Sequence, residues 1–282
     1  MAGGIFWLAS YPKSGNTWVR IFLENLFRDA VRPVSINELG VAGFGDARIA
    51  LYERFAGKPL AALDDAALHA LRGPIQRHLA GLGDTSLVKT HNMLCEYEDR
   101  PLIHLECTAG AVYIVRNVFD VTISIARHFG HPVADAVDAV CSPAFRIRTT
   151  NSAIFQVLGR WSDHYRSWTS VPGFKPLVLR YEDMRSKPLK AFGSVVRHLK
   201  LPASQERIAR AVRFSSFDEV SRQEREAGFR ERARDDHTFF HSGRVGGWRQ
   251  HLSPDQVGRL IDVHGDVLSE LGYLDRRGQP AV

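Results

Sequence analysis

The sequence predicts an α/β protein, a P-loop-like three-layer α/β/α arrangement with a central parallel sheet. Three observations predict it. Short apolar runs at 5–9, 86–91, 111–115 and 176–181 alternate with helical patterns, the order that builds parallel strands. The stretch 11–18, YPKSGNTW, joins the first run to a helix through a tight polar turn. A length of 282 residues with 44% apolar and 24% charged residues suits one large domain, expected to span 1–282.

The first strand is Ile5, Phe6, Trp7, Leu8 and Ala9, and the helix after the turn shows an apolar face at Trp18, Ile21, Phe22 and Leu26. The chemistry between them suits an anion. Gly15 lets the backbone approach a ligand, Ser14, Asn16 and Thr17 bring short donors, and the N–H groups of the new helix point the same way. Lys13 adds a full positive charge. It precedes the glycine, so this is not a Walker A loop, and Lys13 reaches the anion from the strand side. A purely structural strand-to-helix turn is the competing reading.

Residues 31–46 mix Gly, Pro, Asn and Asp without a period and read as a loop. From 47 to 82 the pattern is helical, with Leu60, Leu63, Leu68 and Leu71 on one face and breaks expected at Pro59 and Pro74. The strand at 86–91 ends in Lys89, Thr90 and His91. Ligands of open parallel sheets bind beyond the carboxyl ends of the strands, which places Lys89 and His91 well for a site, although a lone histidine is commonly structural. Residues 92–108 form an irregular connection. Ala111, Val112, Tyr113, Ile114 and Val115 then read as a central strand.

Arg116 follows at that strand's end, and Ser124 lies on the helix after it. The planar fork of Arg116 can grip a phosphate and the hydroxyl of Ser124 can assist; pairing of Arg116 with Asp120 is the alternative. A helix is expected over 151–171, with Trp161, Tyr165 and Trp168 as a packing stripe. The fourth strand ends in Tyr181, Glu182 and Asp183. Helices are expected at 188–199 and at 204–214, the latter capped by Ser204, and a last one at 254–271. From Arg207 to Arg249 ten arginines face seven acids, with little periodicity after Val220. His237 and His241 have an i, i+4 spacing, but no Glu partner accompanies them to make a metal site.

In order, YPKSGNTW, Lys-Thr-His at 89–91, Arg-Asn-x-x-Asp-x-x-x-Ser at 116–124, Tyr-Glu-Asp at 181–183, Ser-Ser-Phe at 215–217 and the glycine-rich 243–249 resemble the soluble sulfotransferases. These use 3'-phosphoadenosine 5'-phosphosulfate (PAPS) as donor. The resemblance spans nearly the whole chain. It implies in-line transfer of a sulfuryl group to a hydroxyl or amine of a small-molecule acceptor, releasing the bisphosphate PAP, with no metal. It also implies a role for each matched residue. His91 would be the base, Lys13 would neutralise charge on the bridging oxygen, Lys89 would assist, and Ser124 would restrain Lys13 until acceptor arrives. Lys13, Ser14, Gly15, Asn16 and Thr17 would hold the 5'-phosphosulfate, and Arg116 with Ser124 the 3'-phosphate. Trp18, Tyr181, Ser215 and Phe217 would enclose the adenine, and Gly243 with Arg244 would close over the 3'-phosphate.

Three positions depart from the family's last motif: His241 and Ser242 stand for Arg-Lys, and Gly247 for Asp. Two positive charges are thereby lost, and Arg244 is the residue offered to replace one. The animal dimer motif is not retained at Arg249, Ser253, Pro254 and Gly258.

Composition adds bounds. Cys95, Cys107 and Cys141 have no disulfide or zinc spacing, so reduced thiols are expected. The net charge of +6 favours anionic partners, but the arginines sit on no nucleic-acid module. No run is long enough to span a membrane and residues 1–4 lack a signal-peptide start, so a cytoplasmic protein without membrane partners is expected. Two other readings stay open. A nucleotide phosphotransferase would need Gly-Lys-Ser/Thr and an acidic strand end for magnesium. A non-catalytic binder of PAPS or PAP would have no use for Lys13 and His91.

Overall fold

The computed structural model describes residues 3–40, 44–232, 238–241 and 243–282. Its main elements are β1 (Ile5–Ser10), α1 (Asn16–Phe27), α2 (Ile49–Ala56), α3 (Asp65–Ala80), β2 (Ser86–Thr90), β3 (Thr108–Val115), α4 (Val118–Phe129) and α5 (Val133–Cys141). There follow α6 (Trp161–Thr169), β4 (Leu177–Arg180), α7 (Tyr181–Ser186), α8 (Pro188–His198), α9 (Gln205–Phe214), α10 (Phe217–Ala227) and α11 (Pro254–Glu270). The four strands form one parallel sheet in the order β2-β1-β3-β4, with helices flanking it.

β1 runs beside β2 with Ile5 opposite Ser86 and Ala9 opposite Thr90. In β3 the run Ala111 to Val115 is at most 1% exposed, as its unbroken apolar character predicts for a strand with a neighbour on each side. The strand order reverses between β1 and β3. Their carboxyl ends hand over to the loop 11–15 and to Arg116, the positions where an open α/β sheet gathers its ligand-binding groups.

The chain divides into two compact units. The first comprises Met1–Tyr11, Phe44–Tyr113 and Ser142–Val178. Its core holds Trp7, Trp161 and Trp168, all fully buried, with Trp7 and Trp168 edge to face at 6.4 Å. The Trp7 indole N–H is satisfied by Thr108 Oγ1 at 2.9 Å. The second unit comprises Pro12–Gly43, Ile114–Cys141 and Leu179–Val282. There Phe22 stacks on Phe192 at 4.4 Å, Phe119 lies 4.8 Å from Trp248, and Ile21, Ile36, Val220 and Phe229 form a cluster under Phe239 and Phe240.

Three sequence expectations are corrected. The helix expected over 151–171 begins only at Trp161, because Gln156 and Val157 pair with Ile147 and Arg146 in a short antiparallel ladder and Gly159 turns at φ 60°. Pro74 does not break α3: its ring lies on the exposed side, while Leu68, Ile75 and Leu79 on the buried side hold the helix through it. Beyond Val220 the chain stays helical to Ala227, since Ser216 caps α10 through the N–H of Glu219 and Val220, Ser221 and Glu224 share its buried side. Two of those three are polar, which hides the face from a count of apolar residues. His237 and Ser242 lie outside the described residues. Among the described residues no helix is long and apolar enough to cross a membrane.

Candidate functional site

The second unit carries residues 12–17, the loop that the sequence reading offers for an anion. Two residues in it take left-handed backbone angles, Lys13 at φ 67° and Gly15 at φ 104°. The first is a conformation that a lysine adopts only under surrounding constraint. At Gly15 a Cβ would stand 2.9 Å from Tyr181 Cδ2 and 3.0 Å from Met184 Cε, so the loop needs glycine for space as well as for angle. α1 starts without a side-chain cap and without an acid in its first turn, leaving the positive end of its dipole uncancelled by the helix itself. Ser14 is fully buried, and its Oγ makes no hydrogen bond. A buried hydroxyl without a partner costs stability, so this loop is shaped for a group that would accept from it.

Lys13 Nζ lies 3.5 Å from His128 Nδ1 and 3.7 Å from the centroid of Phe239, a cation–π contact. Ser124 sits one helical turn before His128 on α4, so the two share a face. Thr17 Oγ1 donates to Glu231 at 3.4 Å, and Glu231 also accepts two bonds from Arg20 at 2.7 and 3.0 Å. Asn16 is buried at the start of α1.

Arg116 makes the Asp120 contact that the alternative reading expects. It stands 3.6 Å from Asp120 Oδ2, donates from Nη2 to the carbonyl of Arg244 at 3.0 Å, and lays its guanidinium 4.3 Å over the Tyr181 ring. Its Nε is buried and without a hydrogen-bond partner. Asp120 does more than pair: it accepts from the backbone N–H of Gly246 at 2.9 Å and of Trp248 at 3.1 Å, docking the glycine-rich segment on α4.

Of the residues named from the sequence for the adenine, Tyr181 and Ser215 meet Trp18. Its indole N–H donates to the Ser215 carbonyl at 2.6 Å, and its ring meets Tyr181 edge-on at 5.8 Å. The Ser215 hydroxyl is spent on the Ala211 carbonyl at 2.8 Å, so Ser215 acts here by orienting Trp18. Burial pushes the Tyr181 phenol above its usual pKa, and it donates to the Gly243 carbonyl at 3.2 Å. Gly243 is at φ 57°, where a Cβ would fall 2.5 Å from Phe217. Arg185 lies 5.1 Å from the Phe217 ring and 6.0 Å from that of Trp18.

The first unit carries Lys89 and His91. The backbone of Lys89 bonds to Phe44 and Asp46, which extend the outer edge of β2. Just past that strand, His91 Nδ1 lies 2.8 Å from the Ser10 carbonyl and 3.1 Å from Ser10 Oγ. A carbonyl only accepts, so Nδ1 carries a proton, and in the neutral ring Nε2 carries the lone pair, the arrangement a base requires. Asp46 is buried, accepts from Thr90 Oγ1 at 2.8 Å and from Asn92 Nδ2 at 2.9 Å, and burial raises its pKa.

Sequence reasoning missed His128, Phe239, Glu231 and Arg185, each joined to a named residue by a contact between distant parts of the chain. It also missed Arg127, which reaches from α4 to His241 Nδ1 at 3.3 Å, beside one of the positions where the family has a cation. Among the described residues no group of His, Cys, Asp and Glu could hold a metal ion.

A model of the sulfotransferase domain matches residues 5–272. Flavonol 3-sulfotransferase of Flaveria bidentis is 23% identical over 95% of this chain and 82% of its own length. Retinol dehydratase, solved with retinol and PAP, superposes with a TM-score of 0.64 at 18% identity, covering 96% of this chain and 82% of that one. A mouse sulfotransferase solved with PAP gives 0.62 at 19%, over 95% and 86%. At such identities the two structures speak for the fold, and the match along almost the entire chain speaks for descent: this protein belongs to the sulfotransferase domain family.

Proposed function

We propose that the protein transfers a sulfuryl group from PAPS to a hydroxyl or amine of a small-molecule acceptor, with His91 as general base. The observation that carries this reading is the buried, unpartnered Ser14 hydroxyl in a loop that also presents Lys13 and the uncapped start of α1. PAPS supplies the activated sulfuryl group. Lys13, Ser14, Gly15, Asn16 and Thr17 would hold its 5' end, Arg116, Ser124, Gly243 and Arg244 its 3'-phosphate, and Trp18, Tyr181, Ser215 and Phe217 its adenine. The buried Arg116 Nε without a partner fits the same anion-rich ligand.

His91 takes the acceptor's proton on Nε2, and Lys13, with Lys89 assisting, offsets negative charge that grows on the leaving oxygen. His128 and Phe239 engage Lys13 directly, and Ser124, one turn before His128 on α4, would share in restraining Lys13.

Calorimetric titration with PAP, against AMP as the control without a 3'-phosphate, tests the donor site. The expected result is a clear preference for PAP; equal affinity would reduce the proposal to an AMP-type nucleotide site. Gly243→Val should lower PAP affinity at least about tenfold, because it puts a branched residue in a left-handed conformation and drives it into Phe217. Unchanged affinity in that variant would remove Gly243 from the site.

A further inference from the structure

The sequence presents α6 as a packing helix, but three of its side chains form hydrogen bonds with one short backbone segment. His164 Nε2 lies 3.0 Å from the carbonyl of His91, and Trp168 Nε1 donates to the carbonyl of Asn92 at 3.1 Å. Ser167 Oγ accepts from the N–H of Leu94 at 3.0 Å while donating to the His164 carbonyl at 2.8 Å. The positions 164, 167 and 168 stack at helical spacing, so one side of α6 presents all three. The strand leading into α6 completes the hold: Met93 N–H donates to the Val157 carbonyl at 2.9 Å, and Asn92 Oδ1 accepts from Val157 N–H at 3.0 Å.

The roles of the His164 nitrogens follow from their partners. The carbonyl of His91 can only accept, so Nε2 donates; Nδ1 then accepts from the Tyr113 hydroxyl at 2.8 Å, delivered by β3. The ring is fully buried with Tyr11 edge-on at 5.3 Å. Burial pushes its pKa down to about 4, so it stays neutral and keeps this donor–acceptor order at neutral pH.

We infer that α6 is a backbone clamp for the segment bearing His91, and that His164, oriented by Tyr113, is a positioning residue that keeps the proton of His91 on Nδ1. The Nδ1–H bond to the Ser10 carbonyl forms only if the His91 backbone is fixed relative to β1, and His164 fixes it through the carbonyl of His91 itself. The inference rests on reading His91 as the base, since that role gives its tautomer a consequence.

Long-range proton–nitrogen correlation NMR on protein with labelled histidines tests it without any acceptor. The unaltered protein should show His91 as the Nδ1–H tautomer and His164 as the Nε2–H tautomer; His91 chiefly in the Nε2–H form would overturn the inference. His164→Phe should move His91 toward the Nε2–H form, and His164→Gln, which keeps an N–H of similar reach, should restore it. No change with phenylalanine, or failure of glutamine to restore, would also overturn it. If His164→Phe does not fold, Tyr113→Phe decides: the His164 ring loses the bond that orients it, His91 should shift in part toward the Nε2–H form, and an unchanged His91 signal counts against the clamp. With an active acceptor, His164→Phe should lower kcat about a hundredfold, the cost of a small misplacement of a reacting group, and glutamine should recover most of it. PAP titration of the same variants should be unaffected. Loss of PAP binding in the unaltered protein would instead defeat the donor reading and leave the tautomer result standing.

Discussion

His91→Ala should lower turnover about a thousandfold while leaving PAP affinity unchanged, within the range expected for loss of a positioned general base. The basis is geometric. The Ser10 carbonyl, 2.8 Å from Nδ1, assigns a proton to that nitrogen and, in the neutral ring, the lone pair to Nε2. His91→Gln is the sharper control, because its amide can hydrogen bond but is not basic, and it should be as inactive as alanine. The measurement is sulfate transfer from radiolabelled PAPS to a series of phenols, with PAP calorimetry alongside. If His91→Ala keeps normal turnover while PAP still binds, the base lies elsewhere and sulfuryl transfer itself stands. If PAP binding falls as well, His91 supports the donor site and the assignment of its role is wrong.

The sequence made legible whatever depends on neighbours in the chain. The loop from Tyr11 to Trp18 is a local device, and its strand, its left-handed Gly15 and its helix start are all written within a dozen residues. The strand ends carrying His91 and Arg116 were legible for the same reason. Partnerships between distant residues were not. His128 meets Lys13 across 115 positions, and Glu231 reaches Thr17 across 214. No period or motif encodes such a pairing. α6 shows how a correct local reading can mislead: Trp161, Tyr165 and Trp168 do fill a core, yet Trp168 and His164 also hold the backbone at His91 and Asn92. The start of α6 was misplaced because the Gln156–Val157 ladder is fixed by Arg146 and Ile147, a pairing that an apolar stripe does not announce.

Arg116→Lys should weaken PAP about a hundredfold and AMP hardly at all. Each charge-assisted hydrogen bond to a phosphate contributes about 1.5–3 kcal/mol, and lysine cannot reproduce the planar fork, so the loss is at least one such bond with its geometry. The surroundings of Arg116 make the comparison informative. Nη2 holds the carbonyl of Arg244, the guanidinium plane lies over Tyr181, and Asp120 stands 3.6 Å away while docking Gly246 and Trp248. Those contacts orient the fork and leave Nε, which has no hydrogen-bond partner, as a donor for a ligand. A lysine can keep the charge near Asp120 but loses the stacking and the second donor. A selective loss of PAP would therefore assign the fork to the 3'-phosphate. Equal weakening of PAP and AMP would mean that Arg116 acts by holding Tyr181 and the Arg244 segment in place. In that case the positive charge missing at His241 would have to come from another residue, with Arg127, 3.3 Å from the imidazole, as the first to substitute.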